Sequence, residues 1–211
     1  VEKIMEKLNT TSDVKKYLTS GEMTKPFLRD TVVFRKIQSD QKVNSAHRTE
    51  LESLIGYIDN HLKYAENQKI RDENKFRRTA KEVWKSKFTT GCADYALVYA
   101  TMARQIGIPT TILETADKHF LDEFSLDNNI KNYKGHFFCE CFYNEEWVLV
   151  DPTSNKIIRN YDVNNIILPY HDGERFKAYL REIDFGKERD IDKTNRLLVE
   201  MSFKGKDIRE R

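Results

Sequence analysis

The chain has 211 residues, with 36 Lys and Arg against 34 Asp and Glu, 12 Phe and 10 Tyr, and a hydrophobic fraction of 39%. A chain of this length buries roughly 70% of its extended surface and makes a core without disulfide or metal, and its apolar content argues against disorder. The formal charge of +2 calls for neither a nucleic acid nor an anionic membrane, and no run of about 18 apolar residues is present to span a bilayer.

Residues 1–42 are polar and irregular, with a short amphipathic piece at Val1–Leu8 and a β-like run at Thr31–Ile37. Leu51, Leu54, Ile55, Ile58 and Leu62 then recur at helical spacing and predict an amphipathic helix over 45–65. A second helix over 71–86 carries Phe76, Ala80, Val83 and Trp84 on one face, so the two predict a helical layer packed on a core. Around that second helix, from Lys69 to Lys87, eight basic residues stand against three acidic, which reads as a solvated face.

Thr89-Thr90-Gly91-Cys92 opens a third helix, predicted to run to Gln105 and to stop at Gly107, with Pro109 preventing its resumption. Its body, Ala93–Met102, is apolar almost all round and therefore buried. A polar loop is expected over 115–134. Next come a strand, Gly135–Tyr143, a turn at Asn144-Glu145 and a second strand, Trp147–Val150, ending at Asp151-Pro152: a β-hairpin. Phe176, Tyr179, Leu180 and Ile183 are at helical spacing and predict a C-terminal helix, followed by a charged tail.

Three cysteines are present, Cys92, Cys139 and Cys141. The last two are one residue apart in a predicted strand, a spacing that does not make a normal disulfide, and no C-x-x-C pair suggests zinc. His47, His61, His119 and His171 show no metal-binding spacing. No metal or cofactor is expected. A reducing compartment, the cytoplasm, is the expectation, with the start at Val1 leaving room for a preceding segment.

The chemistry converges on three residues. Cys92 opens a buried helix, where unpaired N–H groups and the positive end of the dipole favour a thiolate. Its own N–H points where an oxyanion would form and supplies one donor. His136 shares a strand face with Phe138 and Glu140, whereas Cys139 and Cys141 face away with Phe137. If Asn144-Glu145 is a two-residue loop, Tyr143 pairs with Glu146 and Phe138 with Asp151. Asp151 then lies diagonally beside His136 on the same side of the sheet. There it can accept a hydrogen bond from the imidazole, fixing its tautomer and stabilising the imidazolium.

Thr90-Gly91-Cys92-Ala93-Asp94-Tyr95-Ala96, Ala103–Pro109, Gly135-His136 with Glu140, and Trp147–Thr153 follow one another in an order that resembles the transglutaminase-like superfamily over residues 76–160. The resemblance implies an α+β, papain-like/transglutaminase-like core, with a cysteine-bearing helix packed on an antiparallel sheet. It also implies Cys92 as nucleophile, His136 as base and Asp151 as orienting acid. Residues 1–70 would then form a mostly helical N-terminal extension, with 71–211 the catalytic domain, or the whole would be one continuous domain. Where many relatives carry tryptophan two residues after the histidine, this chain has Phe138. Trp84, through its indole N–H, competes with groups near Thr89 and Thr90 for the second oxyanion donor, and Tyr95 is a candidate for lining the acyl pocket.

Two functions follow as expectations. In the first, a protein or peptide amide is attacked by Cys92 to give a thioester, which passes to water (peptidase or amidase) or to a lysine amine (protein-glutamine transglutaminase). In the second, a binding or scaffold module keeps the fold without the chemistry.

Overall fold

A computed structural model describes residues 14–28, 49–127, 133–170 and 172–185. The runs expected at Val1–Leu8 and Thr31–Ile37 and the charged tail lie outside these residues. Helix α1, Glu50–His61, begins at a capping box in which Thr49 and Glu52 satisfy each other's backbone N–H groups. Its stripe Leu51, Leu54, Ile55 and Ile58 is buried. The single helix expected over 71–86 is instead two short ones, α2, Gln68–Asn74, and α3, Ala80–Ser86. The break falls at Phe76, whose φ is 61°, and a second capping box at Thr79 and Glu82 restarts the chain. Two short parallel strands, β1, Lys63–Tyr64, and β2, Phe88–Thr89, tie the end of α1 to the segment before Cys92.

Helix α4, Cys92–Gln105, is buried from Ala93 to Arg104. It ends in a Schellman motif: Gly107, at φ 88°, donates its N–H to the Arg104 carbonyl, and Ile108 donates to that of Ala103. The chain turns directly into strand β3, Thr110–Asp117, and helix α5, Lys118–Asp127, so much of the loop expected over 115–134 is ordered structure. Strands β4, Gly135–Tyr143, and β5, Glu146–Asp151, form the hairpin. Asn144 and Glu145, at φ 51° and 65°, make the two-residue turn whose hand matches strand twist. Tyr143 pairs with Glu146, so the register is the one a two-residue loop dictates.

The remaining strands are β6, Lys156–Ile158, β7, Ile166–Leu168, and β8, Glu174–Glu182. The predicted C-terminal helix is therefore a strand. Its pairing with β3 shifts register at Glu114/Thr115, where Thr115 faces Ala178 and Glu114 faces Leu180. Tyr179 is the extra residue of this bulge, and Ala178 and Tyr179 are consequently both buried. The interrupted alternation imitates helical spacing.

The six strands form one antiparallel sheet in the order β6-β5-β4-β3-β8-β7. Phe137, Cys139, Cys141, Val148 and Val150 project into the larger core, shared with α1, α3 and α4. Phe138, Leu149, Ile166, Leu168 and Phe176 fill a second core on the other face. Both faces of the hairpin are thus covered, and Cys92, at the start of α4, packs partly buried against the larger core. The early segment 14–28 is stitched to this body. Met23 donates its N–H to Asp184 (2.6 Å) and accepts from Ala80 (2.8 Å), while Arg104 donates to Thr24, Thr110 and Ile183. Among the described residues no helix is long and apolar enough to cross a membrane.

Candidate active site

Gly91, immediately before α4, has φ 148° and ψ −162°, a conformation open essentially to glycine alone. It supplies no side-chain cap, so the first N–H groups of α4 are not covered by a capping oxygen. The turn is held from within the helix instead. Asp94 reaches back so that one oxygen, Oδ2, accepts the Thr90 N–H (2.7 Å), the Thr90 hydroxyl (2.9 Å) and the Arg78 guanidinium (2.5 Å). Arg78 also donates to Ser86 Oγ and the Phe88 carbonyl, and its guanidinium lies 4.2 Å from the centre of the Phe88 ring. Arg78 and Asp94 are both buried, so the segment carrying Cys92 is pinned by a desolvated ion pair.

His136 stands at the start of β4, its ring against Phe138 (4.6 Å between centroids) and Phe176 (5.8 Å). Asp151 ends β5 and is fully buried. The two meet through His136 Nε2 and Asp151 Oδ1 at 3.0 Å. Oδ1 also accepts the N–H groups of Thr153 (3.1 Å) and Ser154 (3.2 Å), in the turn that Pro152 initiates, and Oδ2 accepts the Tyr170 hydroxyl (3.0 Å). With Nε2 committed to Asp151, Nδ1 is the nitrogen left for the thiol of Cys92, which hydrogen-bonds the ring.

The electrostatics follow from these contacts. Burial alone pushes the Cys92 thiol up, but the hydrogen bond and charge of His136, with the Phe137 N–H, outweigh it and leave the thiol below its ordinary value. Burial opposes the charged form of His136 as well. Asp151 on one side and Cys92 on the other reverse that and carry the imidazole to about 10. Burial would raise Asp151, yet His136, Tyr170 and Ser154 hold it below the usual carboxylate range. Cys139 and Cys141 behave oppositely: they are buried and pushed up, Cys141 to about 12. Cys139 donates to the Ala96 carbonyl and faces away from His136.

The structure thus brings Cys92, His136 and Asp151 together. Thr90 lies beside them, but its N–H and hydroxyl are both given to Asp94. Tyr95 is buried on α4 in the larger core. Trp84 is stacked on His61 (3.6 Å between ring centroids) and Tyr57 (5.5 Å), and His61 Nε2–H donates to its carbonyl at 2.9 Å. Glu140, on the His136 face of β4, is buried and held by Arg181 through two bonds and by Tyr161. Sequence reasoning did not single out Tyr170 or Arg78. Nothing in the turn after Pro169 marks Tyr170, whereas an acid at the third helical position behind Thr90 is a recognisable reach-back signal for Asp94. Among the described residues no group of three or more His, Cys, Asp or Glu is placed to hold a metal ion.

Residues 35–152 match the family model of the transglutaminase-like superfamily, a span that includes Cys92, His136 and Asp151. No curated protein matches the sequence. In fold, the chain is similar to the crystal structure of a "putative cysteine protease" from Cytophaga hutchinsonii, with a TM-score of 0.50 at 13% identity. The match covers 85% of this chain and 50% of that one, so this chain spans half the length of the protein it resembles. With more than half of its residues inside the family match and an α+β fold of the same kind, the chain belongs to the transglutaminase-like superfamily.

Proposed function

We propose that the protein is a cysteine-dependent enzyme that transfers an acyl group from an amide carbonyl through a thioester on Cys92. Family and fold support a general cysteine-based catalytic role. The observation that carries the specific reading is the imidazole of His136, engaged by Asp151 at Nε2 and hydrogen-bonded to Cys92. The Cys92 thiolate attacks the carbonyl carbon, and the C=O pair moves onto oxygen. The backbone N–H of Cys92 is the first oxyanion donor, on the uncapped end of α4. Trp84 remains our candidate for the second, through its indole, while Thr90 serves the loop and Tyr95 the wall beneath it. Collapse expels the amine, which leaves with the proton of His136. The neutral imidazole then removes a proton from the incoming nucleophile, water or an amine, and the thioester is released.

A polypeptide substrate and hydrolysis by a peptidase or amidase are the favoured form, with glutamine-to-lysine transfer the second outcome of the same intermediate. The test is incubation with glutamine-containing peptides, with and without a primary amine, for the parent and Cys92→Ala. Chain cleavage, or conversion of glutamine to glutamate, signifies hydrolysis, and a mass gain equal to amine minus ammonia signifies transfer. Either product must vanish in Cys92→Ala. A Cys92-labelled protein that still binds a partner, with no turnover by the parent, would favour the scaffold reading instead.

A further inference from the structure

Asp151 is more heavily held than a group that only meets a histidine requires. One oxygen, Oδ1, takes His136 and two backbone amides; the other, Oδ2, takes the Tyr170 hydroxyl at 3.0 Å. Tyr170 comes from the turn between β7 and β8, and packs its half-buried ring against the second core, to which Phe138 and Phe176 belong. Lys156, which pairs with Asp151 across β5 and β6, places its ammonium 5.8 Å from the centre of that ring.

We propose that Tyr170 is a positioning residue of the site: its hydroxyl fixes the carboxylate of Asp151 so that Oδ1 stays aimed at His136 Nε2. The assignment rests on the reading of Cys92, His136 and Asp151 as one catalytic unit. A carboxylate held only at one oxygen can swing about its Cβ–Cγ bond, carrying Oδ1 out of line with the imidazole. A donor on Oδ2, delivered by a ring fixed in the second core, blocks that swing. It also stabilises the carboxylate charge, and the phenol stays protonated because burial and the neighbouring Asp151 both push its ionisation upward. The turn between β7 and β8 thereby takes part in the site without touching the reacting atoms.

The test measures the rate of Cys92 alkylation by iodoacetamide against pH, with thermal unfolding alongside, in four proteins: the parent, Tyr170→Phe, Asp151→Asn and the double variant. Losing the hydroxyl lets Asp151 take a proton at higher pH, which removes support from the imidazolium and hence from the thiolate. The acid limb in Tyr170→Phe is therefore expected to move up by about one pH unit, a tenfold effect at fixed pH on that limb. In the Asp151→Asn background Tyr170→Phe should add no further shift, since the group it acts through has lost its charge. Incorporation of 3-fluorotyrosine at position 170, which keeps the ring and makes a stronger donor, should move the limb down. An acid limb unmoved by both replacements overturns the assignment, as does a Tyr170→Phe shift of equal size in the Asp151→Asn background. A parent that titrates as an ordinary thiol overturns the catalytic reading and the assignment with it. A parent with a low-pH thiolate and an unmoved Tyr170→Phe profile overturns the assignment alone.

Discussion

Replacing Arg78 by methionine removes one partner of a buried ion pair whose side chains are 8% and 2% exposed. Asp94 would keep the Thr90 N–H and hydroxyl, but its charge would be left without a counterion in a desolvated place. Breaking such a pair from one side typically costs about 3–5 kcal/mol. At roughly 2–4 °C per kcal/mol for a domain of this size, Tm should fall by about 6–20 °C. Replacing both residues, Arg78→Met with Asp94→Leu, removes the charge and leaves the Thr90 donors unpaired, a loss of about 1–3 kcal/mol. The double variant should therefore be more stable than Arg78→Met alone. Thermal unfolding by circular dichroism reads the stability, and the Cys92 alkylation rate at pH 7 reads the loop, which should relax and lose thiolate character in both variants. A single variant within about 1 kcal/mol of the parent, or a double variant that loses the sum of two single replacements, would refute the reasoning.

Other outcomes follow from the same geometry. Glu145 occupies the left-handed region in the hairpin turn at φ 65°, and Glu145→Gly should raise stability by about 0.5–1 kcal/mol in urea unfolding, against a loss if the turn were of the opposite hand. His136 stands above its unfolded value of 6.5, at about 10 in the fold. Its charge thus stabilises the protein fully below pH 6.5, and this contribution fades as pH rises through about 10. Asp151, depressed, contributes above its unfolded value of 3.8 and loses that contribution as pH falls through its folded value. The stability gap between parent and His136→Ala should therefore shrink from about pH 6 to about pH 10.5, a trend that chemical unfolding at several pH values reads directly. Turnover in His136→Ala should fall by about 10²–10⁴-fold, the range a general acid–base group supplies.

The hairpin was legible because its alternation is clean and Asn144-Glu145 leaves only one register that keeps both strands' apolar residues together. Helix α4 was legible because Gly91 and Gly107 bound it and its body is apolar all round. Strand β8 was not, because the bulge at Tyr179 breaks the period of two, and a broken period of two looks like a helix. The split between α2 and α3 was hidden for a related reason. Phe76 and Val83 keep an apolar face across a break that is made by a left-handed residue and a new cap. Strand β3 carries no such pattern: Thr110–Thr115 is a central strand buried on both sides. There Thr111 donates to the Glu182 carbonyl, Thr115 donates to that of His136, and Glu114 accepts the Tyr179 hydroxyl, all partners far away in the chain. Tyr170 illustrates the same limit at the site. Its bond to Asp151 joins residues 19 apart through the sheet, and no local pattern announces it.

The central claim is that Cys92 and His136 form a thiolate–imidazolium pair, and the measurement that tests it most directly is the pH dependence of Cys92 alkylation in the parent and in His136→Ala. The account predicts rapid alkylation of Cys92 well below about pH 8 in the parent, with Cys139 and Cys141 unlabelled in the folded protein. It also predicts reversion of Cys92 to an ordinary thiol, near about pH 8.5, in His136→Ala. A parent whose Cys92 already titrates near that ordinary value, or a His136→Ala variant with an unchanged profile, would contradict it.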